Sequence, residues 1–193
     1  MPVDVSGVTD LDGPVADYVA FLRAINLGAT RKFDKAAIVA ATEGAGFTGV
    51  ATHINTGNVR LTTRLRSRER VRDVLEAAYL ADRGFAVPVA VLTPEELRQA
   101  VVDGHALAAT MPEGWDGRAY ASLLRDEPTP EGVAALEACS TEDELAVVRG
   151  RVAHLMVRGY GTSRMTNVAV ERQIGVSTNR ALSVVEQVVT KWC

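Results

Sequence analysis

Apolar residues recur along this chain with two periods, and the switches between them lay out the elements. Tyr18–Leu22 is a short apolar, β-favouring run and reads as a strand. After a polar connector, Asp34 is placed to cap a helix that runs to about Ala45, with Ile38, Ala41 and Ala45 on one stripe. Val50–Ile54 and Val59–Thr62 read as two strands around the hairpin loop Asn55-Thr56-Gly57-Asn58, where glycine and asparagine tolerate positive φ. Ser67 caps the next helix, to about Asp82, with Val71, Val74, Leu75 and Ala78 at helical spacing. Phe85–Leu92 reads as a strand, and Pro88 inside it puts it at a sheet edge.

The order β-α-β-β-α-β is then complete by Leu92. It predicts a ferredoxin-like α+β unit, an antiparallel sheet in the order four-one-three-two with both helices on one face. The second half continues with a helix from Pro94 to about Val102, started by Thr93, Pro94 and two glutamates. Residues 105–117 are irregular. Arg118–Leu124 is a strand, Thr129 to about Cys139 a helix, and Glu144–Val148 and Arg151–Val157 flank a tight turn at Arg149-Gly150. Helices follow over about Arg164–Gln173 and Ala181–Lys191, with Gly175–Asn179 as a connector. No repeat is visible in the residues. The expected division is a loose tail over 1–16, a ferredoxin-like subdomain over 17–92 and a second α+β subdomain over 93–193.

Composition narrows the chemistry. At 193 residues, 47% hydrophobic and 23% charged, the chain has ordinary globular composition. A net charge of −3 gives no global field for nucleic acid, so anion binding has to be local. Cys139 and Cys193 form no framework, and no signal-like or membrane-length apolar run is present, which points to the cytoplasm. The three histidines share no ligand spacing, so no metal site is expected. Nothing in the residues implies a cofactor.

Small polar and arginine residues at strand ends and helix starts carry what chemistry there is. Gly159-Tyr160-Gly161-Thr162-Ser163-Arg164 offers backbone N–H groups, hydroxyls and a guanidinium to an anion, without the spacing of a dinucleotide or Walker loop. Thr178-Asn179-Arg180 offers a second such helix start, and Arg23 and Asn26 stand just past the first strand. The run from Arg64 to Arg72 holds five arginines, a basic face for nucleic acid or a solvated helix surface.

The segments Leu22-Arg23-Ala24-Ile25-Asn26-Leu27-Gly28, Thr56-Gly57-Asn58-Val59, Gly159–Arg164 and Thr178-Asn179-Arg180 together resemble the motifs of the DUF 1697 family, a bacterial domain of unknown function. The similarity covers about Tyr18 to Val189. The family favours glycine where this chain has Ala24 and Ala29, serine at Thr56, lysine at Arg164, and asparagine then tryptophan at Ala181 and Leu182, so the motif around Thr178–Leu182 is eroded. The resemblance implies an α+β fold in two subdomains and brings no activity.

Three functions remain open. One is a binding module for a phosphate-bearing small molecule or nucleotide through Arg23, Asn26, Gly28, Thr56, Gly57, Asn58, Gly161, Ser163, Arg164, Thr178 and Arg180. The second is an enzyme acting on such a ligand, for which the motifs show no general base. The third is nucleic-acid binding through the Arg64–Arg72 run.

Overall fold

The computed structural model describes residues 14–158 and 163–193. The first half runs β1 (Ala16–Leu22), α1 (Lys35–Gly44), β2 (Thr48–His53), β3 (Asn58–Thr63), α2 (Arg68–Arg83) and β4 (Val89–Leu92). Asp34 and Ser67 cap the two helices as expected, accepting from the amides of Ala37 and Arg70. The strands form an antiparallel sheet in the order β2-β3-β1-β4, which is the predicted order read from the other edge. β4 is at that sheet's edge but is shorter than expected. Pro88, which has no N–H to give, precedes it, so Phe85–Pro88 lies outside the strand.

The second half runs α3 (Pro94–Ala108), β5 (Arg118–Leu124), α4 (Pro130–Glu137), β6 (Leu145–Arg149), β7 (Val152–Val157), α5 (Asn167–Ile174), β8 (Ser177–Ala181) and α6 (Leu182–Trp192). Three expectations need correction. α3 runs past Val102 to Ala108, taking in His105. α5 starts at Asn167 behind the Thr166 cap, not near Arg164. The expected connector at Gly175–Asn179 is mostly strand β8, so Thr178 and Arg180 lie in a sheet rather than at a helix start. α6 follows β8 directly and has no side-chain cap bond at Ala181.

The second sheet has the order β6-β7-β5-β8, all antiparallel. From β5 to β8 the order β-α-β-β-α-β of the first half recurs, and α6 follows β8 as α3 follows β4, a repeat that the residues conceal. The equivalence reaches individual hydrogen bonds. The amides of Leu22 and Arg23, at the end of β1, donate to Gly57 O (2.8 Å) and Pro88 O (2.9 Å). Those of Leu124 and Arg125, at the end of β5, donate to Arg151 O and Val176 O, both at 2.9 Å.

Alternation along the strands divides the interior into three cores. Tyr18, Ala20, Leu22, Val59 and Leu61 pack under α1 and α2 with Ile38, Val71, Leu75 and Tyr79. Ala153, Leu155 and Val157 pack under α4 and α5 with Leu136, Val170 and Ile174. The opposite faces of both sheets, including Val19, Phe21, Leu92, Ala121, Leu123 and Val152, share a central core with Leu97 and Ala100 of α3 and Val185 and Val188 of α6. No helix of the described residues is long and apolar enough to cross a membrane.

Two crossed ion pairs tie the halves together. Arg23, just past β1, pairs with Glu171 of α5 in the other half. Arg125, just past β5, pairs with Glu76 of α2 through Nε at 2.8 Å and Nη2 at 2.9 Å. Each glutamate also accepts the first amide of the last strand in its own half: Ser177 N to Glu171 at 3.0 Å and Val89 N to Glu76 at 2.9 Å. One carboxylate thus satisfies a strand end and clasps the other half at once.

His154 in β7 shares the face of Val152, the one towards α3. It is 1% exposed, and among the described residues neither ring nitrogen has a hydrogen-bond partner. Burial lowers its pKa below the usual 6.5, with Asp103 of α3 opposing and Arg149 of β6 adding to the shift. The folded state therefore resists the proton that the unfolded chain accepts. Stability should fall as pH drops below 6.5 and level off once folded His154 is itself protonated. His154→Leu should flatten this limb, measured by urea unfolding at pH 7.5, 6.5 and 5.5. Parallel curves for variant and wild type would show that His154 contributes nothing to it.

Candidate functional site

Loops at one end of the first sheet meet strand β8 of the second, and Arg180 is where they join. The residue is 8% exposed, and its guanidinium makes five hydrogen bonds. Nε donates to Asn58 Oδ1 (2.8 Å), and Nη1 to Thr178 Oγ1 and Asn179 O (both 2.8 Å). Nη2 donates to Leu22 O (3.0 Å) and Thr56 O (2.6 Å). Phe21 lies beneath, its ring centroid 5.9 Å from the guanidinium carbon. No carboxylate is among these partners, and desolvation pushes the Arg180 pKa down to about 10. Three of the four motif segments, up to 158 residues apart, are thereby fastened at one buried cation.

The neighbouring side chains are spent on the same scaffold. Asn58 is fully buried, with its amide donating to His53 O (3.0 Å) and Thr56 Oγ1 (3.1 Å). Thr178 Oγ1 reaches Leu22 O at 3.4 Å. Asn26 closes its own loop, accepting from Phe33 N (3.0 Å), and its Nδ2 donates to Asn55 O across to the hairpin (2.8 Å). Arg23 is held by Glu171 and also donates to Ser177 O at 2.9 Å. Ser163 Oγ donates to Glu144 Oε2 and accepts from Met165 N, both at 2.9 Å. Gly28 and Arg164 are exposed. The expected contribution of Gly161 lies outside the described residues.

Backbone strain is concentrated here. Among the described residues, the non-glycine positions with positive φ are Ala24 (57°), Asn26 (57°) and Ile54 (52°), and all three lie in these two adjoining loops. Asparagine tolerates this region, whereas a β-branched isoleucine is a genuine outlier in it. The glycine favoured by the resemblance at Ala24 suits its φ. Left-handed backbone costs a non-glycine residue about 1–2 kcal/mol, and glycine's extra chain entropy returns about 0.5–1. Ala24→Gly should therefore stabilise by about 0.5–1 kcal/mol and raise Tm by about 1–3 °C. A calorimetric scan with unchanged or lower Tm would refute that reading of the loop.

Charge around the loops is basic: Arg23, Arg31, Lys32 and Lys35 share the stretch with the single acid Asp34. Asp34 is occupied as the α1 cap. Arg31 donates to the carbonyls of Ala24 (2.7 Å) and Ala86 (2.6 Å) and lies over Phe85 at 4.6 Å. The arginine run behaves differently. Arg68 pairs with Glu96 and Arg72 with Asp126, while Arg64, Arg66 and Arg70 are exposed.

Residues that the sequence reading passed over matter as much. Arg151, 5% exposed, donates to Val91 O (3.2 Å) and to Leu124 O (2.9 Å), a second buried arginine between the halves. Glu76, Glu171 and Arg125 make the crossed clasps. One signal was available: Phe21-Leu22-Arg23 and Leu123-Leu124-Arg125 each close a β-like run with two apolar residues and an arginine.

Comparison with known proteins agrees with this architecture. The sequence model of a family described as "Protein of unknown function (DUF1697)" matches residues 15–154. The fold is similar to that of the conserved bacterial protein SP0830 from Streptococcus pneumoniae, with a TM-score of 0.66 and 18% identity over 92% of this chain and 98% of that one. No curated protein matches the sequence.

Proposed function

The chain belongs to the DUF1697 family, which brings no activity with it, and from that premise we propose that it is a binding module for a phosphate-bearing small molecule or nucleotide. The ligand would lie against the 23–35 loop and the 54–58 hairpin. The observation that carries this reading is the buried Arg180 charge, without a carboxylate partner, directly behind two strained loops. Its donors are committed, so it acts on an anion through its field rather than by contact. An anion in front of the loops would compensate a charge that desolvation now disfavours. Lys32, Lys35 and Arg31 add a basic rim, and strained backbone of this kind clusters at ligand sites. We also read residues 17–92 and 93–193 as two ferredoxin-like subdomains of a cytoplasmic protein, on the shared strand order and the two free cysteines.

The test is calorimetric titration of inorganic phosphate, nucleotides and sugar phosphates into wild type and Lys32→Glu. At least one phosphorylated compound should bind below millimolar, and the exposed charge reversal should weaken it about 10-fold. The proposal fails if none binds below millimolar, or if Lys32→Glu leaves the affinity unchanged.

A further inference from the structure

A second surface lies away from these loops, in the other half. A groove of about 410 Å³ runs between the start of α4 and the β6–β7 turn. Pro128, Val133, Ala134 and Val148 give it aliphatic walls, and Glu127 and Glu137 bring carboxylates to it. The helix side of the groove is acidic: from Asp126 to Val148 the chain has seven acids and no lysine or arginine, and Arg149 of the β6–β7 turn is the cation on the opposite side. The Glu127 side chain is 75% exposed, and its 3.9 Å approach to Arg151 Nε is longer than a hydrogen bond.

We propose that this groove docks an extended cationic peptide segment of a partner protein. Lysine and arginine stems are aliphatic and would lie along Val133, Ala134 and Val148, with their charged ends at Glu127 and Glu137. The outer amides of β6 at Ala146 and Val148 are already taken, by Ser140 Oγ and Glu137 Oε1, both at 2.9 Å. The segment therefore cannot join as a sheet strand, and recognition runs through side chains and charge. The chain's own exposed Arg64, Arg66 and Arg70 straddle the start of α2, so they do not form an extended segment that could fill the groove of a second copy. The inference is independent of the anion site.

Fluorescence anisotropy with a labelled hexapeptide of alternating lysine and valine tests it, with the glutamate–valine counterpart as control. The lysine peptide should bind with a Kd of about 10–300 µM at low ionic strength and more weakly as salt rises. Ala134 is exposed on α4, so Ala134→Tyr should fill the groove and weaken binding at least about 10-fold. Glu127→Gln should weaken it about 3-fold; this exposed position decides the matter if Ala134→Tyr does not fold. The proposal is overturned if the lysine peptide does not bind below millimolar, if the glutamate peptide binds as well, or if every folded variant binds like wild type. Self-association in sedimentation velocity that Ala134→Tyr abolishes would also overturn it, by making a second copy the occupant.

Discussion

Arg180→Met should destabilise the protein by about 3–5 kcal/mol, more than any other single polar replacement considered in the chain. The substitution removes five hydrogen bonds and leaves the buried Asn58 Oδ1 and the half-buried carbonyls of Thr56 and Asn179 without this donor. Each buried acceptor stranded in this way costs about 1–3 kcal/mol. Leu22 O suffers less, because Thr178 Oγ1 also reaches it. The loss is partly offset because a desolvated cation is no longer buried. Arg180→Lys should recover only part of the deficit, since an ammonium has three donors and no planar fork to span β1, the hairpin and β8. Urea unfolding followed by far-UV circular dichroism measures both variants. A loss below about 1 kcal/mol for the methionine variant would mean that the network is not what joins these segments.

Gly57→Ala should cost nearly as much as Gly57→Val, about 3–5 kcal/mol, and that near-equality is the informative part. Gly57 has φ +76°, as the hairpin spacing predicts, which alone costs a substituted residue about 1–3 kcal/mol. A Cβ here would also stand 2.7 Å from Leu22 Cβ and 2.8 Å from Ile25 Cδ1. Ile25 can swing its terminal carbon away. Leu22 Cβ is fixed to the backbone of β1, whose amide is bonded to Gly57 O, so strand and hairpin must separate. The clash occurs at the first side-chain carbon, so a methyl group is enough. A melting temperature for Gly57→Ala within about 2 °C of wild type would refute the close approach.

How much of this was legible depended on where each signal resides. The first sheet could be read because its strands are apolar, its helices begin with Asp34 and Ser67, and its hairpin carries Gly57. β8 could not be read, because Ser177, Thr178, Asn179 and Arg180 look like a cap while Ser177, Thr178 and Arg180 are buried. Their burial is stabilised by partners 122 to 158 residues away, which no local pattern reports. The same holds for the site. Three of the four motif segments meet at Arg180, but the roles of Asn26, Asn58 and Thr178 as scaffold appear only once their partners are known. The repeat was hidden for a different reason: equivalent places are filled by unlike residues, with Gly57 matched by Arg151 and Leu92 by Arg180.

The crossed clasps have a consequence for how the protein can go wrong. Arg23 with Glu171 and Arg125 with Glu76 are contacts between a first half and a second half, and they do not require that both halves belong to the same molecule. Two chains that opened at the 109–117 connector could trade the part from β5 onward and rebuild both clasps and the central core, changing only the path of the connector. A connector long enough to return favours the intramolecular arrangement, where the local concentration of the partner half is high. Deleting residues 110–115 should remove the slack needed for that return and shift the chain towards a domain-swapped dimer on size-exclusion chromatography. A shortened chain that stays monomeric and fully folded would show that α3 and β5 can meet without the loop.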